Sequence, residues 1–186
     1  MTNWKSSHHK LPDDHVWKAR RGYNIFVGGG GAIRFDIPEG WIVEPTSDAI
    51  KIHDKPPPDD DCLLQVSIIH LPPGIDWTGF PLTYLLDEAV LKDDPRGLTV
   101  SGKHKLVRRP DLELAWIEAQ FIDPNEKRDA FSRACLARGS DIQALITFEF
   151  WPEHRRRFVP VWNEILRSLR LGEYVSGFSG RRLYRG

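Results

Sequence analysis

Cysteine is scarce in this chain: the 186 residues hold two, Cys62 and Cys135. They lie far apart and in no metal-ligand spacing, and neither has a neighbour of the kind that activates a thiolate. Cys135 falls in an apolar, strand-like run over residues 131–137, where a small thiol packs as a core residue. A disulfide between the two stays open, and nothing demands an oxidising compartment. Net charge is missing too: 26 Lys+Arg balance 26 Asp+Glu. The chain as a whole therefore lacks the basic excess of a nucleic-acid binder, and a neutral surface leaves a homo-oligomer open. No stretch approaches the roughly 18 apolar residues of a membrane span. The first residues, "MTNWKSSHHKLPDDHVWKARRGY", lack the apolar centre of a secretory signal. From these absences the expected location is the cytoplasm.

What is present is an ordinary globular composition, 40% hydrophobic and 28% charged, on a length that suits one domain with a full core. Four consecutive glycines stand in "VGGGGAIRFDIPEGW" (residues 27–41). A phosphate cradle needs glycines that open a helix, so that free amides and the helix dipole meet the anion. Here Ile33, Phe35 and Ile37 alternate with Arg34 and Asp36, which is the period of a half-buried strand. No Lys-Ser/Thr pair follows. The glycines are read as a loop or hairpin turn, where positive φ costs glycine nothing.

The rest of the chain divides by the same logic. Residues 1–22 form a polar extension, with a short helix capped by Asp13 or Asp14 expected and Trp17 as its contact with the body. Residues 23–172 form the domain and 173–186 a tail. Within the domain, strands are expected over 23–27, 33–37, from Trp41, over 49–53 and over 63–71. The segment "DKPPPDDD" (54–61) is an exposed loop, because proline cannot donate to a central sheet. After a second loop, "PPGIDWTGF", Pro81 suits a helix start, and Leu82, Leu85, Leu86, Ala89 and Val90 repeat at helical spacing. Four strands joined by short turns follow, over 98–107, 112–122, 130–138 and 142–151. They imply an antiparallel meander. A last helix covers 153–169, its stripe formed by Phe158, Trp162, Ile165, Leu166 and Leu169; Pro160 should begin or kink it. The fold class is α+β, an antiparallel β-sheet flanked by helices as an α/β/α sandwich.

Two stretches resemble a known family. Phe35-Asp-Ile-Pro-Glu-Gly-Trp41 is similar to the F-x-I-P-x-G-W entry of the PsbP-like superfamily. Ile165-Leu-Arg-Ser-Leu-Arg-Leu171, after the strand Ile146-Thr-Phe-Glu-Phe150, resembles that superfamily's C-terminal helix and exit. The resemblance covers about residues 33–172 and implies an antiparallel sheet between helices. The superfamily includes the photosystem II extrinsic protein PsbP, a Ran-binding nucleotide-release factor and many bacterial domains. Its matched motifs are structural: Pro-x-Gly-Trp turns a corner and anchors a ring. No functional residue is carried over, and fold does not by itself assign function.

Candidate chemistry is sparse. His53 and Asp54 precede Asp59, Asp60 and Asp61, a grouping that could hold a divalent cation loosely. It has no EF-hand spacing, so a solvated acidic loop is expected and no metal or cofactor is assigned. No G-x-S-x-G elbow occurs, and His104, between Lys103 and Lys105, reads as a surface strand residue. The binding candidates are Trp77, a large aromatic in a loop, and Arg155, Arg156 and Arg157, which oppose the dipole at a helix start and suit an acidic patch. The expectation is a non-catalytic interaction or accessory domain that acts through its surface on a protein partner. The alternative is a binder of small apolar ligands, with a cavity between the sheet and the last helix. An enzyme ranks third.

Overall fold

The computed structural model of the chain describes residues 9–11, 14–77, 79–92 and 94–174. Asp13, one of the two expected helix caps, lies outside them. Residues 14–22 form no helix. They run as turn and coil, and Trp17 reaches the body: the Arg34 guanidinium lies 4.2 Å from its ring centroid.

Strands β1 (Tyr23–Gly28) and β2 (Ile33–Pro38) pair antiparallel, with Gly28 opposite Ile33. Between them Gly29–Gly31 form a single 3-10 turn, with φ of 58°, 65° and 109°. Residues with a side chain rarely take such angles. The strand resumes at Ile33 with no helix opening at Ala32, so the glycines close a hairpin. Gly31 is also tightly packed: a Cβ there would lie 2.4 Å from the Glu173 carbonyl oxygen.

Downstream come β3 (Ile42–Pro45), β4 (Ile50–His53), β5 (Cys62–His70), α1 (Leu82–Val90), β6 (Thr99–Val100), β7 (Lys105–Arg108), β8 (Glu113–Ile122), β9 (Asp129–Gly139), β10 (Ile142–Phe150), α2 (Arg155–Ser168) and β11 (Arg170–Leu171). Two antiparallel sheets result. β1, β2 and β11 make a small one. The large one has the order β3-β4-β5-β10-β9-β8-β6, with β7 also on β8. The meander expected from the sequence is β7 through β10. Its first strand divides: β6 and β7 pair with opposite ends of β8.

The large sheet is covered on both sides. Even-numbered residues of β10 (Ile142, Ala144, Ile146, Phe148, Phe150) face α2 and the small sheet. Ala115, Ile117, Ala134 and Leu136 face Leu82 and Leu86 of α1. Period-two alternation thus sends β8 and β9 into two separate cores. In the larger core Trp162 stacks on Phe148, ring centroids 6.1 Å apart and planes 10° from parallel. Trp116 meets Trp162 edge-on at 5.9 Å. Full burial of one such ring stabilises by about 1.5–3 kcal/mol.

Pro160 does not begin the last helix but lies within it. A 3-10 turn at Pro152–His154 leads into α2, which carries Pro160 on its exposed side. Phe158, fully buried against Phe148 and Phe150, anchors the helix before the proline is reached. The carbonyl that Pro160 cannot bond belongs to Arg156, an exposed residue.

Candidate functional site

Trp77 lies in the loop between β5 and α1 and is half-buried. Its ring sits 5.8 Å from that of Phe80, and its indole nitrogen is buried without a hydrogen-bond acceptor. Phe80 is 51% exposed, and Ile75 and Tyr84 on either side in the chain are exposed to a similar degree. The loop is held from beneath. Arg138, itself buried, donates through Nη2 to the Phe80 carbonyl (2.9 Å) and to Glu113 (2.5 Å). A short loop fixed by a buried guanidinium therefore presents aromatic surface to solvent, a pattern typical of an interaction anchor.

The three arginines at the start of α2 part company. Arg155 donates to Glu118 at 2.7 Å and lies 4.7 Å over the Phe131 ring. Glu118 also accepts from Arg133, only 4% exposed, through Nε at 2.7 Å. Burial alone would raise the Glu118 pKa; the hydrogen bonds and charges of Arg155 and Arg133 overcome it and hold the carboxyl below its ordinary value. Arg157 reaches the fully buried Asp54 carboxylate and Asp61, each at 2.9 Å. Arg156 is exposed and makes no ion pair among the described residues. Carboxylates thus gather at the N-terminus of α2, where the helix dipole favours them and the arginines alone would not.

Trp77 and the arginines do not form one surface. Phe80 hangs on Arg138 at one end of β9 and Arg155 covers Phe131 near the other. Seven residues of strand separate those anchor points, roughly 23 Å at 3.3 Å per residue.

The acidic loop is knitted internally. His53 is buried, with Nδ1 2.8 Å from Asp60 and Nε2 3.6 Å from Glu44. Asp54 Oδ1 accepts from the backbone nitrogens of Asp61 (2.9 Å) and Cys62 (3.2 Å). The Lys55 ammonium, bonded to Asp61, holds that carboxyl below its usual range. Among the described residues no three His, Cys, Asp or Glu side chains converge as metal ligands. His104 bonds Asp87 of α1 at 2.7 Å. Both cysteines are free and buried, and burial pushes both thiols up, away from nucleophilic character.

The interior between the sheet and α2, where an apolar-ligand cavity was expected as the alternative, is filled by Trp162, Phe148 and Phe158, each fully buried. A cavity of about 310 Å³ lies on the opposite face, beneath the end of α1. Neither this cavity nor the Glu118 and Asp54 ion pairs was named from the sequence. The cross-strand pairs had a signal: once the 123–128 turn sets the β8–β9 register, Glu118 stands opposite Arg133 and Glu113 opposite Arg138.

This layering, an antiparallel sheet between helices with a small sheet beside α2, is the PsbP-like fold. Cyanobacterial PsbP (CyanoP) from Synechocystis sp. PCC 6803 superimposes with a TM-score of 0.61, over 88% of this chain and 98% of that one, at 11% identity. The Ran-binding protein Mog1p of Saccharomyces cerevisiae gives 0.52 over 80% and 95% of the two chains at 10% identity. LpqN of Mycobacterium tuberculosis, involved in cell envelope biogenesis, also gives 0.52, over 80% and 90% at 14% identity. At such identities the likeness concerns fold alone. In sequence, residues 24–175 match the Alr1449 family. The protein alr1449 of Nostoc sp. (strain PCC 7120) is 46% identical over 166 residues, 89% of this chain and 85% of that protein. The chain belongs to the Alr1449 family. Among the described residues no helix is long and apolar enough to cross a membrane.

Proposed function

We propose that this protein is a non-catalytic interaction or accessory domain, and that Trp77 and Phe80 anchor its partner. The observation that carries the reading is half-buried Trp77 packed against exposed Phe80 on a loop pinned by buried Arg138. A large ring held outward loses little conformational entropy on binding, which makes it an efficient anchor. The partner is a protein. Arg155 and Arg157, the basic groups a phosphate backbone would need, are neutralised by Glu118, Asp54 and Asp61. A fold relative described as Ran-binding supports the same kind of role. Two free, buried thiols accord with the cytoplasm.

The test is quantitative affinity purification from the native organism, comparing wild type with Trp77→Ala and Phe80→Ala. A protein recovered with wild type and depleted at least tenfold with either variant is the expected result, with the melting temperature little changed. Identical recovery from all three would refute the anchor.

A further inference from the structure

We infer that the 310 Å³ cavity beneath α1 is a binding site for a small alkylammonium group. The inference is independent of the surface reading above. The floor of the cavity is two adjacent cross-strand rows of the large sheet. In one row Gln65 (β5) stands opposite Thr147 (β10), which stands opposite Ala134 (β9), which is followed by Ile117 (β8). In the next row Glu149 (β10) stands opposite Ser132 (β9), which stands opposite Ala119 (β8). Side chains two apart on a strand share a face, so the two rows are continuous. The β5–β10 half of the floor is polar and the β8–β9 half is small and apolar. Ala119, Ser132 and Ala134 open the space; larger residues would fill it.

The polar half offers uncommitted acceptors. Gln65 and Thr147 make no side-chain hydrogen bond among the described residues. Glu149 gives Oε1 to Arg96 (2.6 Å) and, more weakly, to the Ser132 hydroxyl (3.4 Å), which leaves Oε2. Arg96 is already spent: it forks onto both Asp94 oxygens at 2.9–3.3 Å and lies 4.4 Å over the Phe121 ring. Two carboxylates therefore face one guanidinium, and the lining carries one net negative charge. An ammonium has three donors and no acceptor. Glu149 Oε2, the Thr147 hydroxyl and the Gln65 carbonyl are three acceptors on one face of two paired strands. Beyond them Ile117, Leu145, Val90, Leu91 and Leu98 would hold a short aliphatic chain. The volume sits at the small end of ligand sites, which limits the guest to a few carbons.

A free amine and a lysine side chain offered by another protein share this chemistry. The experiment is a two-dimensional ¹H–¹⁵N titration of the full chain with n-butylammonium, with neutral n-butanol and with the peptide Ala-Ala-Lys-Ala-Ala. Saturable shifts at Gln65, Thr147, Glu149 and Ser132 with n-butylammonium, and none with n-butanol, are expected. The peptide binding as well would assign the site to a lysine; its failure would assign a free amine. Glu149→Gln should weaken n-butylammonium by about tenfold or more, the loss expected for a charged acceptor. Thr147→Val, which leaves Arg96 and its partners in place, should weaken it by about two- to tenfold. Shifts scattered over surface carboxylates, equal binding of n-butanol, or variants that titrate like wild type would overturn the assignment.

Discussion

Replacing Gly31 by alanine tests the glycine turn at its tightest point. Gly31 holds φ at 109°, and a Cβ there would stand 2.4 Å from Glu173 O and 2.6 Å from Tyr174 Cα. Both obstacles are backbone, so no side chain can swing aside. The strained φ costs about 1–3 kcal/mol. Relief of the clash must push residues 173–174 outward, which threatens the Gly172 N–H···O=C Ala32 bond of 2.9 Å and the Arg34–Glu173 ion pair. That adds roughly 1 kcal/mol. Alanine recovers about 0.4–1 kcal/mol by narrowing the unfolded ensemble. The net loss is about 1–3.6 kcal/mol, a fall in Tm of roughly 2–14 °C for a chain of this size. Gly30→Ala is the internal control. Its φ of 65° is ordinary left-handed backbone and a Cβ there meets nothing within 4 Å, so it should lose about 1 kcal/mol or less. Thermal and urea unfolding of the three proteins side by side make the comparison. Equal melting of both variants would refute the close-approach argument. A rise in the wild-type Tm with millimolar phosphate, abolished by Gly31→Ala, would restore the anion pocket that the hairpin excludes.

Three further outcomes follow from the ion pairs and thiols. Glu118→Gln leaves Arg133 buried without its counter-charge and should cost about 3 kcal/mol in urea unfolding. The Glu118 pKa is held low in the folded state, so its contribution is complete above the unfolded value of about 4.3. That contribution disappears as pH falls through the lower folded value; the variant should lose this part of the acid limb, and an unchanged limb would contradict the pairing. Arg157→Ala should destabilise by about 1–2 kcal/mol, discounted for the exposure of the guanidinium and the two backbone donors that Asp54 keeps. Arg156→Ala should leave Tm within about 2 °C; equal effects would show that the pair at Asp54 adds nothing. Ellman's reagent should react with neither cysteine in the native protein and with both in urea. Prompt native reaction would contradict the burial of Cys62 and Cys135.

Most of the architecture could be read from alternation. β2, β5, β8, β9 and β10 carry period-two apolar patterns because one or both of their faces lie in a core. α1 carries the helical repeat because it buries one stripe on β8 and β9. The division into two sheets was not legible: β1 and β2 look like any hairpin, and β11 is two residues long, below any periodic signal. Pro160 does not mark the helix start, because burial of Phe158 holds the turn that precedes it. Of the candidate residues, Trp77 was marked by its loop position, but its neighbour Phe80 is found only through the Trp77–Phe80 ring contact. The partners of Arg155 and Arg157 are 37 and about 100 residues away along the chain, a separation that sequence spacing does not resolve. The cavity beneath α1 depends on the register of four strands at once, which places Gln65 beside Thr147 and Glu149 beside Ser132.

The most direct test of the surface account is site-specific photo-crosslinking in native cells, with p-benzoylphenylalanine placed at Phe80 in one strain and at Arg156 in another. Both positions are exposed, and they sit at different ends of the molecule. A discrete crosslinked protein from position 80, weak or absent from position 156, is the expected result. A partner captured at 156 and none at 80 would contradict it.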